Sequence, residues 1–313
     1  MKLFKPFVRS FFGTILSPMG NYFTKNKLTI FCYHDVSSNP SEFSLKYDLN
    51  VAPDTFDFQI GFINKNFNVI SPDDLLNNKI PKNAALITFD DGFKSYFTNA
   101  VPILKKHETP SVIFLNMAPI KGEIFWSGLI TYLCDKKSDF SKFLNSANDL
   151  NIHGKPKYLF CSEEIVNSYL KIKNNNFKDE VNEFVGEFAN LNDLRSLSDN
   201  NLVFFGNHLY KHYVPLLMSD KKLLEMYNKN ESLLKKYSNY RNLFSFPFGQ
   251  PETCFSKRQI ELLLDNGSQK IFSSYPHLNT NINSKYLHRI PLHSHNNNKS
   301  SIWFNILRRN LRF

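Results

Sequence analysis

Leu86-Ile87-Thr88-Phe89-Asp90-Asp91-Gly92 is the stretch around which the 313-residue chain is organised. The apolar run Ala84 to Ile87 predicts a buried strand, and that strand ends on two adjacent carboxylates and a glycine. Successive side chains of a strand point to opposite faces, so Asp90 and Asp91 reach one site only where the strand gives way to a turn, which Gly92 permits. Two carboxylates so close cannot share an apolar site without a cation or a shared proton. A metal ion meets that demand; a solvated Asp-Gly turn is the simpler alternative.

A second apolar stretch, Leu202 to Gly206, also ends in polar groups, Asn207-His208-Leu209-Tyr210-Lys211-His212. On a helical turn, two His at i and i+4 face the same way and can bind one ion. A carboxylate then completes three protein ligands and leaves room for water, the arrangement of a catalytic rather than a structural divalent site.

Thr88-Phe89-Asp90-Asp91-Gly92 and His208-x-x-x-His212 resemble the first two motifs of the NodB-like polysaccharide deacetylases, carbohydrate esterase family four. Phe246-Pro247-Phe248-Gly249 resembles that family's proline-and-aromatic motif, and the three occur in the family's order. The resemblance covers about residues 28 to 293. It implies a metal-dependent hydrolase that removes N-acetyl groups from an amino sugar in a cell-surface polysaccharide or its lipid-linked precursor. Asp91, His208 and His212 are then the expected metal ligands, for zinc by ligand type, and Asp90 is the expected base. Pro247, Phe248 and Gly249 are expected to form a substrate-binding turn whose backbone N–H holds an oxyanion. His34 follows the predicted strand Leu28 to Tyr33 as in many family members, which gives it a place in the pocket. Trp126 is expected in a sugar-stacking wall, with core packing as the alternative.

The chain also departs from the family. Ser245 stands where the family's Arg steadies the aspartate base, Leu209 replaces a Ser or Thr after the first ligand His, and the tryptophan-bearing fourth motif is not found. For the general acid, His293 at the end of the strand Tyr286 to Leu292 is the first choice, with His288 and His295 as rivals. These departures leave two other readings open: a metal-dependent amidohydrolase for another non-peptide C–N bond, and a non-catalytic glycan-binding protein.

Working outward, 42% hydrophobic and 15% aromatic residues are ample for a large core. Predicted strands at Leu28 to Tyr33, Phe67 to Ile70, Ala84 to Ile87, Ser111 to Leu115, Leu202 to Gly206, Leu243 to Phe246, Lys270 to Phe272 and Tyr286 to Leu292 alternate with helical patterns. That order predicts an α/β fold, a (β/α) barrel of the NodB type, distorted or incomplete. In such folds ligands bind at the carboxyl ends of strands, where His34, Asp90, Asp91, His208 and Pro247 all fall. Residues 28–295 are read as the catalytic domain, with a helical insertion at about 135–198.

The net charge of +10 favours an anionic partner. Nucleic acid is not expected, because no binding motif accompanies the charge. Residues 1–27 place Phe4, Phe7, Phe11, Phe12 and Ile15 at helical spacing among Lys2, Lys5 and Arg9, a basic amphipathic segment suited to a membrane interface. Pro6, Arg9 and Pro18 interrupt any signal peptide or membrane span. Residues 296–313 repeat the mixture of aromatics and Arg. Four cysteines without metal-type spacing, Cys32, Cys134, Cys161 and Cys254, are expected as buried thiols. The expected location is the cytoplasm or the cytoplasmic face of the inner membrane.

Overall fold

A computed structural model describes residues 20–148 and 156–308. Of the expected membrane-seeking segments 1–27 and 296–313, residues 1–19 and 309–313 lie outside the described residues; in the second segment Ile302, Trp303, Ile306 and Leu307, on the helix Lys299–Leu307, are buried in the core rather than presented to a membrane.

The strands are β1 (Leu28–Tyr33), β2 (Asp35–Val36), β3 (Asn50–Val51), β4 (Asn68–Val69), β5 (Ala84–Asp91), β6 (Ser111–Leu115), β7 (Val203–Asn207), β8 (Tyr240–Ser245), β9 (Lys270–Ser273), β10 (Tyr286–His288) and β11 (Ile290–Pro291). β2 and β3 pair only with each other, and the remainder form one sheet in the order β10-β9-β8-β7-β6-β5-β1-β11, with β4 also on β5. Every strand pair in it is parallel. The last segment closes the sheet: residues 286–288 pair with β9, residues 290–291 pair with β1, and Arg289 alone separates the two halves. The result is a nearly closed barrel, as the strand and helix alternation predicts.

Strand alternation sorts the side chains into two cores. Leu28, Ile30, Ala84, Leu86, Val112, Phe114, Phe204, Leu243, Phe272 and Leu287 fill the barrel. Ala85, Ile87 and Phe89 face outward onto the helices. The helix Pro53–Asn66 shows why: Pro sits in its first turn, and Phe56, Ile60 and Ile63, spaced on one face, are all fully buried. The helix Lys257–Asp265 opens on a Ser256–Gln259 capping box. Between β6 and β7 the longer helices are Trp126–Lys136, Ser138–Asn148, Glu163–Lys173 and Lys178–Val185. Going up β5, the inward positions change from Ala84 and Leu86 to Thr88 and Asp90, so the barrel is apolar below and polar at its carboxyl mouth. No helix among the described residues is long and apolar enough to cross a membrane.

Candidate active site

The carboxyl end of β5 carries both aspartates. Asp90 points into the barrel; Asp91 has φ of 74°, a left-handed conformation rare outside glycine, followed by Gly92 at 101°. This reversal lets neighbouring residues serve one site. The loops after β7 and β8 turn in the same way, at Leu209 (φ 63°) and at Phe248 and Gly249 (φ 60° and 61°). Gly249 has no alternative: a Cβ there would lie 1.8 Å from Ser274 Oγ and 2.9 Å from Ser274 N.

Asp91 Oδ1 is buried without a hydrogen bond and faces His212 Nε2 at 3.3 Å and His208 Nε2 at 3.5 Å. Donors at about 2.0–2.2 Å from a tetrahedral zinc stand about 3.3–3.6 Å apart, so the two measured spacings fit one ion. His208 Nδ1 donates to the Ser245 carbonyl at 2.7 Å, which leaves its Nε2 lone pair toward the site. Burial lowers the pKa of His212 to about 4 despite the nearby Asp91 carboxylate, which keeps its imidazole neutral, as a ligand must be. Burial pushes the Asp91 carboxyl up, but His212, His208 and His34 together hold it below its ordinary value.

The two His do not lie on a helical turn, contrary to the expectation from their spacing. The segment after β7 is irregular, and its backbone groups bond elsewhere. Asn116 Nδ2 donates to the His208 carbonyl and, at 2.9 Å, to that of Leu209. The Leu209 N–H reaches Asn207 Oδ1 at 2.9 Å, and the Tyr210 N–H reaches the Met226 carbonyl at 3.1 Å. Left-handed Leu209, rather than helical periodicity, brings the rings to 5.1 Å apart.

Asp90 has a different partner. Arg289, fully buried, donates from Nη1 to Asp90 Oδ1 at 2.7 Å and from Nη2 to Oδ2 at 2.6 Å. It also donates to Ser245 Oγ at 2.7 Å, Thr88 Oγ1 at 3.2 Å and the Ser273 carbonyl at 3.1 Å. All five N–H groups are thereby used. Burial pushes the Asp90 carboxyl up, and Arg289, with His208 and His34, more than reverses it, holding Asp90 well below the usual carboxylate range. The steadying Arg that the sequence lacks at position 245 thus arrives from the barrel closure, and Ser245 accepts one of its hydrogen bonds. Its signal is a lone Arg, beside His288, inside the mainly apolar strand Tyr286 to Leu292.

Cys32, His34 and Asp90 form a second group close enough to share a cation. Arg289 already engages both oxygens of Asp90, and burial pushes the Cys32 thiol far up so that it stays protonated. Asp91, His208 and His212 are therefore the better ligand set.

These groups line one cavity of about 360 Å³, with His34, Phe248, Gly249 and His293. His34 Nε2 lies 3.9 Å from Asp90 Oδ2. His293 Nδ1 meets the Asp48 carbonyl at 2.8 Å and its carboxylate at 3.3 Å, and His295 stacks on the His293 ring. His288 is turned away, bonded to Ser273 Oγ at 2.9 Å and packed against Tyr275 and His277. Neither His288, His295 nor Pro247 lines the cavity; Pro247 precedes the turn that does. Trp126 is also outside it, buried edge-on against Tyr213 at 4.7 Å. The aromatic wall is instead Tyr47, Phe43, and Tyr158 stacked on Phe248 at 4.6 Å. Tyr47 and Asp48 follow the short helix Glu42–Lys46 and Tyr158 lies in the 3-10 turn Lys157–Phe160, none within a motif, and no sequence signal marked them.

The family model for polysaccharide deacetylase matches residues 77–271. A search of the curated proteins finds no significant match. Among solved structures, IcaB from Ammonifex degensii superposes with a TM-score of 0.60 at 16% identity, covering 90% of this chain and 97% of that one. The Streptococcus pyogenes deacetylase PplD, solved in complex with acetate, gives 0.59 at 15% identity, covering 90% and 99%. A de-N-acetylase from Aggregatibacter actinomycetemcomitans gives 0.56 at 16% identity, covering 89% and 99%. At these identities the structures speak to the fold, and with the family match over most of the barrel the chain belongs to the polysaccharide deacetylase family, hydrolases that act on acetylated carbohydrate.

Proposed function

We propose that the chain is a metal-dependent N-deacetylase of an amino sugar in a cell-surface polysaccharide or its lipid-linked precursor. The observation that carries this reading is the division of labour between neighbours: Asp90, tied to a cation of the protein, and Asp91, clustered with the imidazoles of His208 and His212. A purely structural metal site has no use for the first carboxylate.

Asp91, His208 and His212 would hold the divalent ion, zinc by donor type. When bound, such an ion supplies Lewis acidity, polarising the acetyl carbonyl and lowering the pKa of water. Asp90 takes the proton of the attacking water. Arg289 keeps this base ionised and aimed, while each carboxylate oxygen retains a second lone pair for the water. Attack on the acetyl carbon makes a tetrahedral oxyanion, which a backbone N–H of the Phe248–Gly249 turn at the cavity wall would stabilise. The C–N bond then breaks, and His293 delivers a proton to the amine, because an amine anion is a very poor leaving group. Asp48 at Nδ1 fixes the orientation of the His293 ring. Tyr47, Tyr158 and Phe248 offer apolar faces for a sugar ring. The products are acetate and the free amino sugar.

Acetate release from a panel of N-acetylated oligosaccharides and polymers, set beside formyl and cyclic-imide substrates, tests the reaction class. Turnover of the acetylated sugars is expected. Turnover confined to the others, or none by metal-loaded protein, rejects the reading.

A further inference from the structure

The end of the barrel opposite the cavity gathers positive charge. The helix Gly20–Thr24 lies across the amino ends of β1 and β5: Thr24 Oγ1 donates to Asn83 Oδ1 at 3.1 Å, and the Asn83 N–H reaches the Lys25 carbonyl at 2.9 Å. The helix Lys299–Leu307 packs against it so tightly that a Cβ on Gly20 would stand 2.5 Å from the Trp303 ring, which also packs on Phe62 and Phe67. Residues 1–19 and 309–313 therefore join the described chain at the same end. The first stretch carries Lys2, Lys5 and Arg9, the second Arg309 and Arg312, and neither has an Asp or Glu. Around the junction Lys25, Lys65, Lys79 and Lys82 are exposed, and no ion pair engages them among the described residues. Tyr22, on the first of these helices, is 76% exposed.

We propose that this end of the barrel docks on an anionic lipid surface and holds the catalytic cavity facing away from it. Charge selects an anionic partner. Phe4, Phe7, Phe11, Phe12 and Ile15 at helical spacing favour a bilayer, into which apolar side chains insert, over a nucleic acid. β5, eight residues long, separates the two ends by about 25 Å. A sugar held in the headgroup layer is thus out of reach of the cavity of the same molecule. On the deacetylase reading, the substrate is a stretch of glycan that stands off from the membrane, a polymer rather than a short lipid-linked precursor.

Flotation of the full chain with vesicles of phosphatidylcholine alone, or mixed with phosphatidylglycerol, tests the docking. Binding is expected only to the anionic vesicles. Each neutralised lysine weakens it about fivefold, so Lys25→Ala, Lys79→Ala and Lys82→Ala together weaken it about a hundredfold. That variant should hydrolyse soluble substrate like wild type. Orientation is read from an environment-sensitive fluorophore on Tyr22→Cys or on Leu45→Cys, the latter beside Tyr47 at the cavity mouth, in a Cys134→Ser background. A blue shift on anionic vesicles is expected at position 22 and not at 45. No flotation, flotation indifferent to the lysines, displacement by an oligonucleotide, or a shift at position 45 each overturns the proposal. None of the binding measurements depends on turnover, so a failed deacetylase reading is seen separately.

Discussion

Arg289→Met removes a fully buried cation and leaves five acceptor contacts unanswered. Methionine keeps much of the side chain's length, so the loss is chiefly electrostatic. Truncating one partner of a buried ion pair costs about 3–5 kcal/mol, because the other charge stays behind. Here the charge left behind is Asp90, whose carboxyl burial already pushes up and which Arg289 chiefly holds down. Two consequences follow for one substitution. In urea unfolding of metal-free protein at neutral pH, the variant should lose about 3–5 kcal/mol at unchanged m. The acid limb of kcat/KM should move to higher pH, since the base becomes protonated where in wild type it stays ionised. Asp90→Asn in the same background removes the stranded charge, so the double variant should be more stable than additivity allows, with a coupling of about 2 kcal/mol or more. Additive energies, or a loss below about 1 kcal/mol, would refute a tightly coupled pair.

Tyr158→Ala takes away the ring stacked on Phe248; a rise in KM of about tenfold with kcat nearly unchanged is expected from steady-state kinetics if it is a sugar platform. Gly249→Ala forces a left-handed Cβ against Ser274; kcat should fall by about a hundredfold while metal content, read by atomic absorption, stays stoichiometric. For pH, the folded state of metal-free protein keeps His212 neutral, with its pKa lowered to about 4. The unfolded chain binds the proton first, so this contribution is complete above the unfolded value near 6.5 and is lost as pH falls toward 4, about 3 kcal/mol in all. His212→Gln should flatten the stability profile across that window.

The barrel was legible because its strands alternate apolar residues with helical patterns, and because polar residues cluster where strands end. Asp90 and Asp91 could be read as convergent since a strand cannot present neighbours to one face, and the left-handed φ at Asp91 is the turn that argument requires. The i, i+4 spacing of His208 and His212 pointed to a shared site by the wrong route. Helical geometry and a left-handed loop can deliver the same two rings, and only Asn116 and Asn207, distant in sequence, decide between them. Arg289 lies far in sequence from the position before Pro247 where the family Arg is expected, because a nearly closed barrel makes its last strand a neighbour of its first. Residue type alone points Trp126 to the pocket, whereas Tyr47 and Tyr158 reach it from a helix end and a 3-10 turn whose positions depend on tertiary packing.

Adjacent aspartates divide the base and ligand roles. The direct test is metal content and acetate release, measured together on wild type, Asp90→Asn and Asp91→Asn. Asp90→Asn is expected to keep one ion per chain and to lose turnover by about a thousandfold or more, while Asp91→Asn loses both. Asp90→Asn with wild-type turnover, or Asp91→Asn with full metal content, would contradict it.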